Sequence, residues 1–340
     1  EYIERRYNKG CRTLLVCLSL VLYIFTKISA TLFAGQVVLA TTSHLNPWAS
    51  AALMIVGTAA YTTLGGLSAV VYTEAMQTVV LLVGGGILAA VGFNAVGGVE
   101  GLRGRLDDSF FHLFRPVTDE DFPWTGFVFG YYCMSLWYWG CDQAIVQRAL
   151  AARDIRHGRA GAVITSLLKA LPVFLMVFPG MIARVLMEDA GVIDREDPTD
   201  DPAVYDRAYP WLILRLMPEH THGLLLAAIL SSLMSSLASV FNSSATLFTM
   251  DIYRAWRPAS TERHLVWVGR VCVVVVAALS LAWLPVIPLF GANLFLYIQT
   301  PPAFLAPSIF ALFVWGMAST RPTGRGGYAA LLYGTVLGLS

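Results

Sequence analysis

The sequence predicts an all-α protein that crosses a lipid bilayer many times. Of its 340 residues, 56% are hydrophobic and only 13% are charged, whereas soluble domains carry about 25% charged residues. Apolar runs long enough to cross a hydrocarbon core of ~30 Å as helices recur along the whole chain. Because lipid offers no hydrogen bonds to an exposed backbone, these runs are expected to be helices and not open strands.

Hydropathy predicts eight complete spans and the start of a ninth. They run over residues 12–41, 47–64, 66–95, 124–147, 159–188, 221–252, 262–285, 293–318 and 326–340. The first is predicted to be one tilted helix. We expect residues 1–340 to form a single transmembrane domain. The chain begins in a charged segment and stops inside an apolar run, so we also expect it to be a piece of a longer protein.

The distribution of arginine predicts the orientation. Arginine is concentrated before the first span, between the fourth and fifth, between the sixth and seventh, and after the eighth, whereas loops 99–123 and 189–220 are dominated by Asp and Glu. Short basic loops stay in the cytoplasm. The N-terminal segment is therefore predicted to be cytoplasmic and the acidic loops extracellular, in the plasma membrane. Residues 188–206, which include Pro198 and Pro202, are predicted to form a mobile surface loop.

Several classes of function are not expected. None of the five cysteines forms a CxxC pair and the six histidines lack metal-ligand spacing, so we expect no disulfide framework or transition-metal site. The sequence has no GxxxxGK[ST], GxSxG or HExxH motif, so no catalytic constellation is apparent and an enzyme is not expected. A net charge of +1 gives no indication of a nucleic-acid partner.

A stripe of serines marks the sixth span. Ser232, Ser235, Ser236 and Ser239 lie at i, i+3, i+4 and i+7, so they share one face of a helix. One explanation is close helix packing, since small residues let backbones approach each other. The other is a Na+ site, because a hard cation prefers several oxygen ligands. Spacing alone leaves both explanations open.

The clear cases of ionisable residues inside predicted spans are Lys27, Glu74, Asp142 and Lys169, and Asp251 lies at a membrane edge. A charge in hydrocarbon is costly and is a functional candidate by default, although a structural ion pair is the competing explanation for each one. The four together, beside a serine-rich helix, favour a transport path.

The fourth span combines aromatic and polar side chains. Ser135, Tyr138, Trp139 and Asp142 share one helical face, and Gly140 is a position where the helix is expected to loosen. Interrupted helices near the bilayer midplane are where transporters bind solutes. A flat aromatic face beside hydroxyl groups suits a sugar. An aromatic belt at the membrane interface is the alternative, but Asp142 and Gln143 would be poorly placed in it.

Five stretches carry a family resemblance. They are LWYWGCDQAIVQR at 136–148, YIFTKISA at 23–30, GGLSAVVYTE at 65–74, FPGM at 178–181 and SSLASVFNSSATLFTMDIY at 235–253. In this order along the chain they resemble the sodium/solute symporter family, in its sodium/glucose cotransporter branch. The resemblance covers nearly the whole chain.

That resemblance implies a LeuT-type bundle of two inverted five-helix repeats. It would be incomplete here, with core helices three to ten and part of a peripheral helix, and without core helices one and two. The implied function is sodium-coupled symport of a glucose- or galactose-like hexose by alternating access, with Na+ as the co-transported ion and no organic cofactor. A sodium symporter of myo-inositol or a monocarboxylate, and a sugar-gated sensor on the same scaffold, remain alternatives.

The resemblance also assigns site residues. The sodium-site positions are Ser232, through its carbonyl, and the hydroxyls of Ser235 and Ser236. The sugar-site positions are Ser135, Tyr138, Trp139, Lys169 and Gln299, with Tyr138 similar to an inner gate and Trp139 to a stacking platform. Further candidates for ion coupling are Glu74, Asp142 and Ser239.

The chain departs from the family pattern at several of these positions. Glu74 stands where the sugar cotransporters usually have Asp, and Ala238 where some have a hydroxyl, so the number of coupled sodium ions stays open. Thr31 replaces a common Asp. The pair Pro301-Pro302 follows Gln299 closely, and we expect it to interrupt the helix and to re-aim that glutamine.

Overall fold

The computed structural model describes residues 2–119, 122–194, 202–289 and 294–339. The described part is helical throughout, apart from turns and one isolated bridge between Arg115 and Pro123. The α-helices are Tyr2–Arg6, Lys9–Leu22, Ser29–Ser43, Pro47–Ala95, Gly98–Arg103, Tyr131–Gly140, Gln143–Leu150, Ile155–Leu168, Phe178–Asp189, Ala208–Leu216, Glu219–Thr246, Arg254–Trp256, Glu262–Trp283, Leu294–Ala318 and Gly324–Leu339. The π-helical turns are Tyr23–Ile28, Gly126–Gly130, Val173–Val177 and Leu247–Tyr253, and the 3-10 turns are Asp108–Phe111, Pro202–Arg207 and Leu284–Leu289.

Six helical segments in the described residues are long and apolar enough to cross a membrane: Lys9–Ser43, Tyr72–Ala95, Ile155–Asp189, Glu219–Trp256, Glu262–Leu289 and Tyr297–Ala318. The predicted spans 47–64, 124–147 and 326–340 are helical but are not among the six. The first is the start of the longer helix Pro47–Ala95, the second is interrupted, and the third is a 16-residue helix.

The first long helix, Lys9–Ser43, is continuous, as its apolar run predicts. Asn8 caps its start by accepting a hydrogen bond from the Cys11 amide at 2.8 Å, and it ends at His44, whose φ of 53° is left-handed. A π-helical turn over Tyr23–Ile28 interrupts its regular pitch. Such turns are rare and are often found at functional sites; this one carries Tyr23 and Lys27.

The second long helix, Pro47–Ala95, runs through the predicted boundary at Gly65. At ~1.5 Å per residue, its 49 residues exceed the length needed to cross the bilayer once. The structure therefore differs from the two separate spans that hydropathy predicts. The Gly65-Gly66 pair weakens helix propensity, but each glycine keeps its amide donor, so a helix can continue through it.

The serine-rich helix, Glu219–Thr246, packs between the two long helices and Glu262–Trp283. Its apolar face buries Leu237 and Phe241 against Tyr23 and Leu32 of the first long helix. Small residues permit the close contacts of the two long helices: a Cβ at Gly35 would lie 1.7 Å from the sulfur of Met54. Alanine at Gly35 would therefore require the end of the Met54 side chain to move.

The proline helix, Leu294–Ala318, contains Pro301, Pro302 and Pro307 and is nevertheless continuous. The expected interruption at Pro301-Pro302 is wrong. Each proline removes one amide donor, but its fixed φ is compatible with a helix.

The loop 189–220 is more ordered than its composition predicts. It contains the helix Ala208–Leu216, whose Leu212 and Ile213 are fully buried against a second core that includes Ile182 and Leu225. Residues 195–201, at the centre of the predicted mobile segment 188–206, lie outside the described residues.

Candidate functional site

The first part of the candidate site is a buried ion pair between two helices. Lys27, on the π-helical turn, pairs with the carboxylate of Asp142, which is 3% exposed. The Tyr23 hydroxyl, one helical turn earlier, donates to the other carboxylate oxygen at 2.5 Å. The ammonium group also lies 5.7 Å from the Trp137 ring and 5.1 Å from the Tyr138 ring. Aromatic faces attract a cation at such distances, so Lys27 is held by charge and by aromatic contacts.

Asp142 also begins a new helix. The aromatic helix Tyr131–Gly140 ends, Cys141 and Asp142 leave the helical path, and the short helix Gln143–Leu150 follows. The Ala144 amide donates to Asp142 Oδ1 and to the Tyr23 hydroxyl, both at 3.1 Å. The carboxylate thus satisfies a free amide of the first turn, which is the usual role of an N-cap. The expected loosening near Gly140 is present, and the ion pair fixes it in place.

The second part of the candidate site lies near the other end of the short helix. Arg148 donates to Glu74 Oε1 at 2.5 Å and also to the Ser239 hydroxyl. Ser235 donates to the same Glu74 oxygen at 2.6 Å. Glu74 lies on the second long helix, so this cluster joins three helices. The Arg148 Nε is buried and has no hydrogen-bond partner among the described residues, which leaves one donor of the cluster unused.

The four serines of the stripe do not share one environment. Ser235 and Ser239 are buried, at 2% and 3% exposed, and face the Glu74–Arg148 pair. Ser236 is exposed and donates to the Ser232 carbonyl of its own helix at 3.0 Å. Ser239 similarly donates to the Ser235 carbonyl at 3.1 Å. The two edges of a helical stripe can face different neighbours. Here Ser235 and Ser239 face the Glu74–Arg148 pair, whereas Ser236 is exposed.

The short helix connects the two charged clusters. Asp142 is its N-cap, Arg148 lies in its last turn, and Gln147 between them donates to the Ser239 carbonyl at 3.4 Å. A displacement of this helix would change the Lys27–Asp142 contact and the Glu74–Arg148 contact together. The structure therefore contains a physical link between the aromatic helix and the serine-rich helix.

The aromatic face predicted from the fourth span is accessible. Tyr138 and Trp139 make an edge-to-face contact with ring centroids 5.2 Å apart. Lys169, from the following apolar segment, places its ammonium group 4.8 Å from the centre of the Trp139 ring. Trp139 is 42% exposed. A flat ring and one cation thus face open space, which is the kind of surface that stacks on an apolar face and donates hydrogen bonds at its edge.

Gln299 lies at a different place from this face. It lines a cavity of about 730 Å³ between the aromatic helix and the proline helix, together with Trp124, Tyr131 and Met134. Tyr138, Trp139 and Lys169 are not in this lining. Ser135 is half-buried on the aromatic helix. Of the five predicted sugar-site residues, the structure brings Tyr138, Trp139 and Lys169 into contact.

Sequence reasoning did not identify Arg148 or Tyr23 as site residues. Arg148 was counted as one of the basic loop residues that predict orientation, and it is instead the partner of Glu74. Trp137, fully within the predicted aromatic stretch, is buried beside Lys27. The signal for Arg148 was the uncompensated carboxylate of Glu74 inside an apolar span, which requires a cation or a proton. Nothing in the spacing of Tyr23 predicted its contact with Asp142.

The long apolar helices, with ion pairs between them, define a multi-pass membrane protein. The family model for the sodium:solute symporter family matches residues 1–334. The chain therefore belongs to the sodium:solute symporter family. The resemblance seen in the sequence motifs is confirmed at the level of the family.

Three curated relatives illustrate the similarity. The chain is 40% identical over 364 residues to sodium/myo-inositol cotransporter 2 of Mus musculus, covering 100% of this chain and 54% of the relative. It is 41% identical over 362 residues to the sodium/mannose cotransporter SLC5A10 of Bos taurus, covering 99% and 61%. It is 37% identical over 365 residues to sodium/glucose cotransporter 4 of Danio rerio, covering 100% and 55%. The chain thus spans between about half and three fifths of the length of these relatives.

Similarity of fold extends to a solved structure of low sequence identity. A Na+-coupled sialic acid symporter, in a substrate-bound outward-open state, superposes with a TM-score of 0.73 at 17% identity, covering 100% of this chain and 76% of the other. The expected all-helical LeuT-type architecture is confirmed.

Proposed function

We propose that the full-length protein couples sodium entry to the uptake of a small neutral polyol, a hexose or a cyclitol, by alternating access. The observation that carries this proposal is the short helix Gln143–Leu150, with an ion pair near each end: one contains the buried Asp142, and the other, Glu74–Arg148, is half-buried. Solute and ion sites in transporters need a mechanical connection, and interrupted helices supply it.

The proposed sodium ligands are the Ser232 carbonyl and the hydroxyls of Ser235 and Ser236. They lie within two turns of one helix, and hydroxyl and carbonyl oxygens are suitable ligands for a hard cation. Three oxygens are fewer than such a cation requires, so further ligands must come from elsewhere in the protein. Glu74, which accepts from Ser235 at 2.6 Å, supplies negative potential close to this site. Ser239 is the proposed link from the serines to Arg148, and Asp142 the link to Lys27.

The proposed solute site is the face of Tyr138, Trp139 and Lys169. Trp139 provides a stacking surface for the C–H face of a ring, and Lys169 and Ser135 provide hydrogen bonds for its hydroxyls. Gln299 contributes only if the proline helix brings it toward Trp139 during the transport cycle. The tyrosine closes the cytoplasmic side of the site in this proposal.

The similarity to cotransporters named for myo-inositol, mannose and glucose supports a neutral polyhydroxylated ring as the solute. All three names denote solutes with an apolar ring face and a rim of hydroxyls. They support a hexose and a cyclitol equally, and they give no support to a monocarboxylate.

The test is sodium-dependent uptake over a solute panel by the full-length protein in vesicles. The panel contains glucose, galactose, mannose, myo-inositol and a small monocarboxylate, each measured with sodium and with choline as the external cation. We expect uphill, sodium-dependent accumulation of at least one polyol. A sodium current without accumulation would indicate a sensor, and accumulation of the monocarboxylate alone would contradict the proposed solute class.

The proposed orientation is tested separately, in intact cells that express the full-length protein. In the plasma membrane, loops 99–123 and 189–220 would face outward and the N-terminal segment inward. A cysteine introduced into loop 99–123 would then react with an impermeant reagent added outside intact cells.

A further inference from the structure

A second cavity, unrelated to the candidate transport site, lies between the last two described helices. It has a volume of about 510 Å³ and is lined by the proline helix, the terminal helix Gly324–Leu339 and Tyr7 of the N-terminal segment. Its walls are mainly apolar and include Ala311, Leu312 and Ala330. We call this cavity the terminal groove.

The N-terminal segment holds the rim of the terminal groove in place. Arg6 donates to the carbonyls of Gly316, Ser319 and Pro322 at 2.9, 2.5 and 3.1 Å. These carbonyls belong to the C-terminal turn of the proline helix and the segment after it, where free acceptors and the negative end of the helix dipole are expected. Arg6 therefore fixes the connecting segment and compensates its negative potential.

Tyr7 forms one wall of the groove and is also held by a hydrogen bond to the proline helix. Its hydroxyl donates to the Leu312 carbonyl at 2.7 Å, so the ring presents carbon to the cavity. A Cβ at Gly327 would lie 2.7 Å from the Tyr7 ring, which shows how closely the terminal helix approaches the tyrosine. The walls of the groove are therefore held in place by a hydrogen bond and by close helix packing.

Arg321 stands at the rim of the terminal groove with an exposed side chain. Within the described residues its guanidinium forms no ion pair and no hydrogen bond; only its backbone amide is used, and it donates to the Ser319 hydroxyl at 3.2 Å. Among the described residues that line the groove, none is acidic. Glu4, the one acid of residues 2–11, is already paired with Arg12. The rim therefore has a positive charge without a counter-ion.

The groove is open on one side and has exposed aromatic residues near its opening. Trp315, which lines it, is 65% exposed, and Tyr328 on the terminal helix is 41% exposed. Tryptophan and tyrosine are enriched where a membrane helix meets the headgroup region. The charge pattern predicts that this end of the helices is cytoplasmic, where anionic lipids are concentrated. Apolar walls, an interfacial tryptophan and one unpaired cation are the features of a lipid site and not of a site for a free ion.

We infer that the terminal groove binds an anionic phospholipid, with an acyl chain along Leu312 and Ala330 and the phosphate at Arg321. Basic pockets between membrane helices on the cytoplasmic side recognise anionic headgroups in this way. An inorganic phosphate would satisfy Arg321 but would leave the apolar walls uncovered. The inference does not depend on the proposed transport function.

Native mass spectrometry of the full-length protein tests the inference. The protein is purified in detergent, exchanged into micelles with equal amounts of phosphatidylserine and phosphatidylcholine, and analysed for retained lipid. We expect phosphatidylserine to be retained in preference, by about fivefold, the effect expected for one arginine near an anionic headgroup. Arg321→Gln should abolish that preference.

Two further variants and one competitor make the result specific. Arg325→Gln removes an exposed arginine four residues away that does not line the groove, so its preference should equal that of the wild type. Ala330→Phe fills the groove and should reduce retention without a change in charge. Excess inorganic phosphate should not displace the lipid. Equal losses in Arg321→Gln and Arg325→Gln, displacement by phosphate, or no lipid retained by the wild type would overturn the inference.

Discussion

Arg148 and Glu74, 74 residues apart in sequence, form an ion pair in which the guanidinium donates to the carboxylate at 2.5 Å. The pair connects the short helix Gln143–Leu150 to the second long helix, and Ser235 adds a hydrogen bond to the same carboxylate oxygen. A carboxylate beside the proposed sodium ligands is therefore partly neutralised by an arginine. The balance between these two charges should set the affinity for the cation.

The first prediction is that neutralising each member of this pair shifts sodium affinity in opposite directions. Glu74→Gln removes negative potential near the serines, so the sodium concentration for half-maximal uptake should rise by about fivefold, the effect of roughly 1 kcal/mol. Arg148→Gln leaves Glu74 without its cation, so that concentration should fall. Uptake measured across a sodium titration gives both values.

Arg153→Gln is the matched control, because Arg153 is exposed and lies in the segment that follows the same short helix. Its sodium dependence should be unchanged. A shift in the same direction in Glu74→Gln and Arg148→Gln would argue that the pair is structural only.

The second prediction separates the two edges of the serine stripe. Ser236→Ala should raise the sodium concentration for half-maximal uptake, because it removes a proposed ligand whose hydroxyl, within the described residues, donates to the Ser232 carbonyl of its own helix. Ser235→Ala should do the same and should also lower thermal stability, since it removes the hydrogen bond to Glu74. Ser243→Ala is the control: Ser243 is buried one turn beyond Ser239, and its hydroxyl donates to the Ser239 carbonyl. Unchanged sodium dependence in both single variants would leave close packing as the role of the stripe.

The third prediction concerns the buried pair Lys27–Asp142. Asp142→Asn retains an N-cap side chain but leaves Lys27 without its counter-ion, and breaking a buried pair in this way costs about 3–5 kcal/mol. The melting temperature of the detergent-solubilised protein should therefore fall. Adding Lys27→Met should recover part of the loss, because the unpaired charge is then gone. A double variant as unstable as the sum of the two single variants would show that Lys27 and Asp142 do not stabilise the protein as a pair.

The fourth prediction concerns the solute. Trp139→Ala should weaken apparent solute affinity, whereas Trp139→Phe should preserve part of it, since stacking needs a flat ring. Gln299→Ala should weaken affinity by about ten- to hundredfold if its amide bonds the solute, from a cost of roughly 1–3 kcal/mol for a lost buried contact. Concentration-dependent uptake of the preferred polyol measures both. Wild-type affinity in Gln299→Ala, with reduced affinity in Trp139→Ala, would place the solute at Trp139 and not in the cavity lined by Gln299.

Much of the helical architecture could be predicted from hydropathy, because a membrane helix is specified by a local property, its run of apolar residues. The limits of local information show at two places. Gly65-Gly66 resembles a boundary but lies inside a continuous helix, and Pro301-Pro302 resembles a break but does not stop the proline helix. In both cases the low helix propensity of the local residues predicted an interruption, but the helix continues through them.

The candidate site could be predicted in part. Periodicity placed Ser235, Ser239 and Asp142 on particular helix faces, and their chemistry marked them as unusual in an apolar segment. The motif resemblance added Tyr138, Trp139 and Lys169, which the structure brings into contact. Arg148 was not predicted as a site residue, because an arginine at the end of a span is equally consistent with the rule for basic cytoplasmic loops.

The sequence by itself determined that the chain is a bundle of membrane helices with charges and hydroxyls on selected faces, because 3.6-residue periodicity and apolar run length are local. Only the tertiary structure decided that Lys27 meets Asp142, that Glu74 meets Arg148, and that Ser235 faces charge while Ser236 is open. The local sequence specifies which side chains lie on one face of a helix. Which residues they contact depends on how segments distant in sequence pack together. The cost of an unpaired charge in a low-dielectric interior then selects the packing in which each charge has its partner.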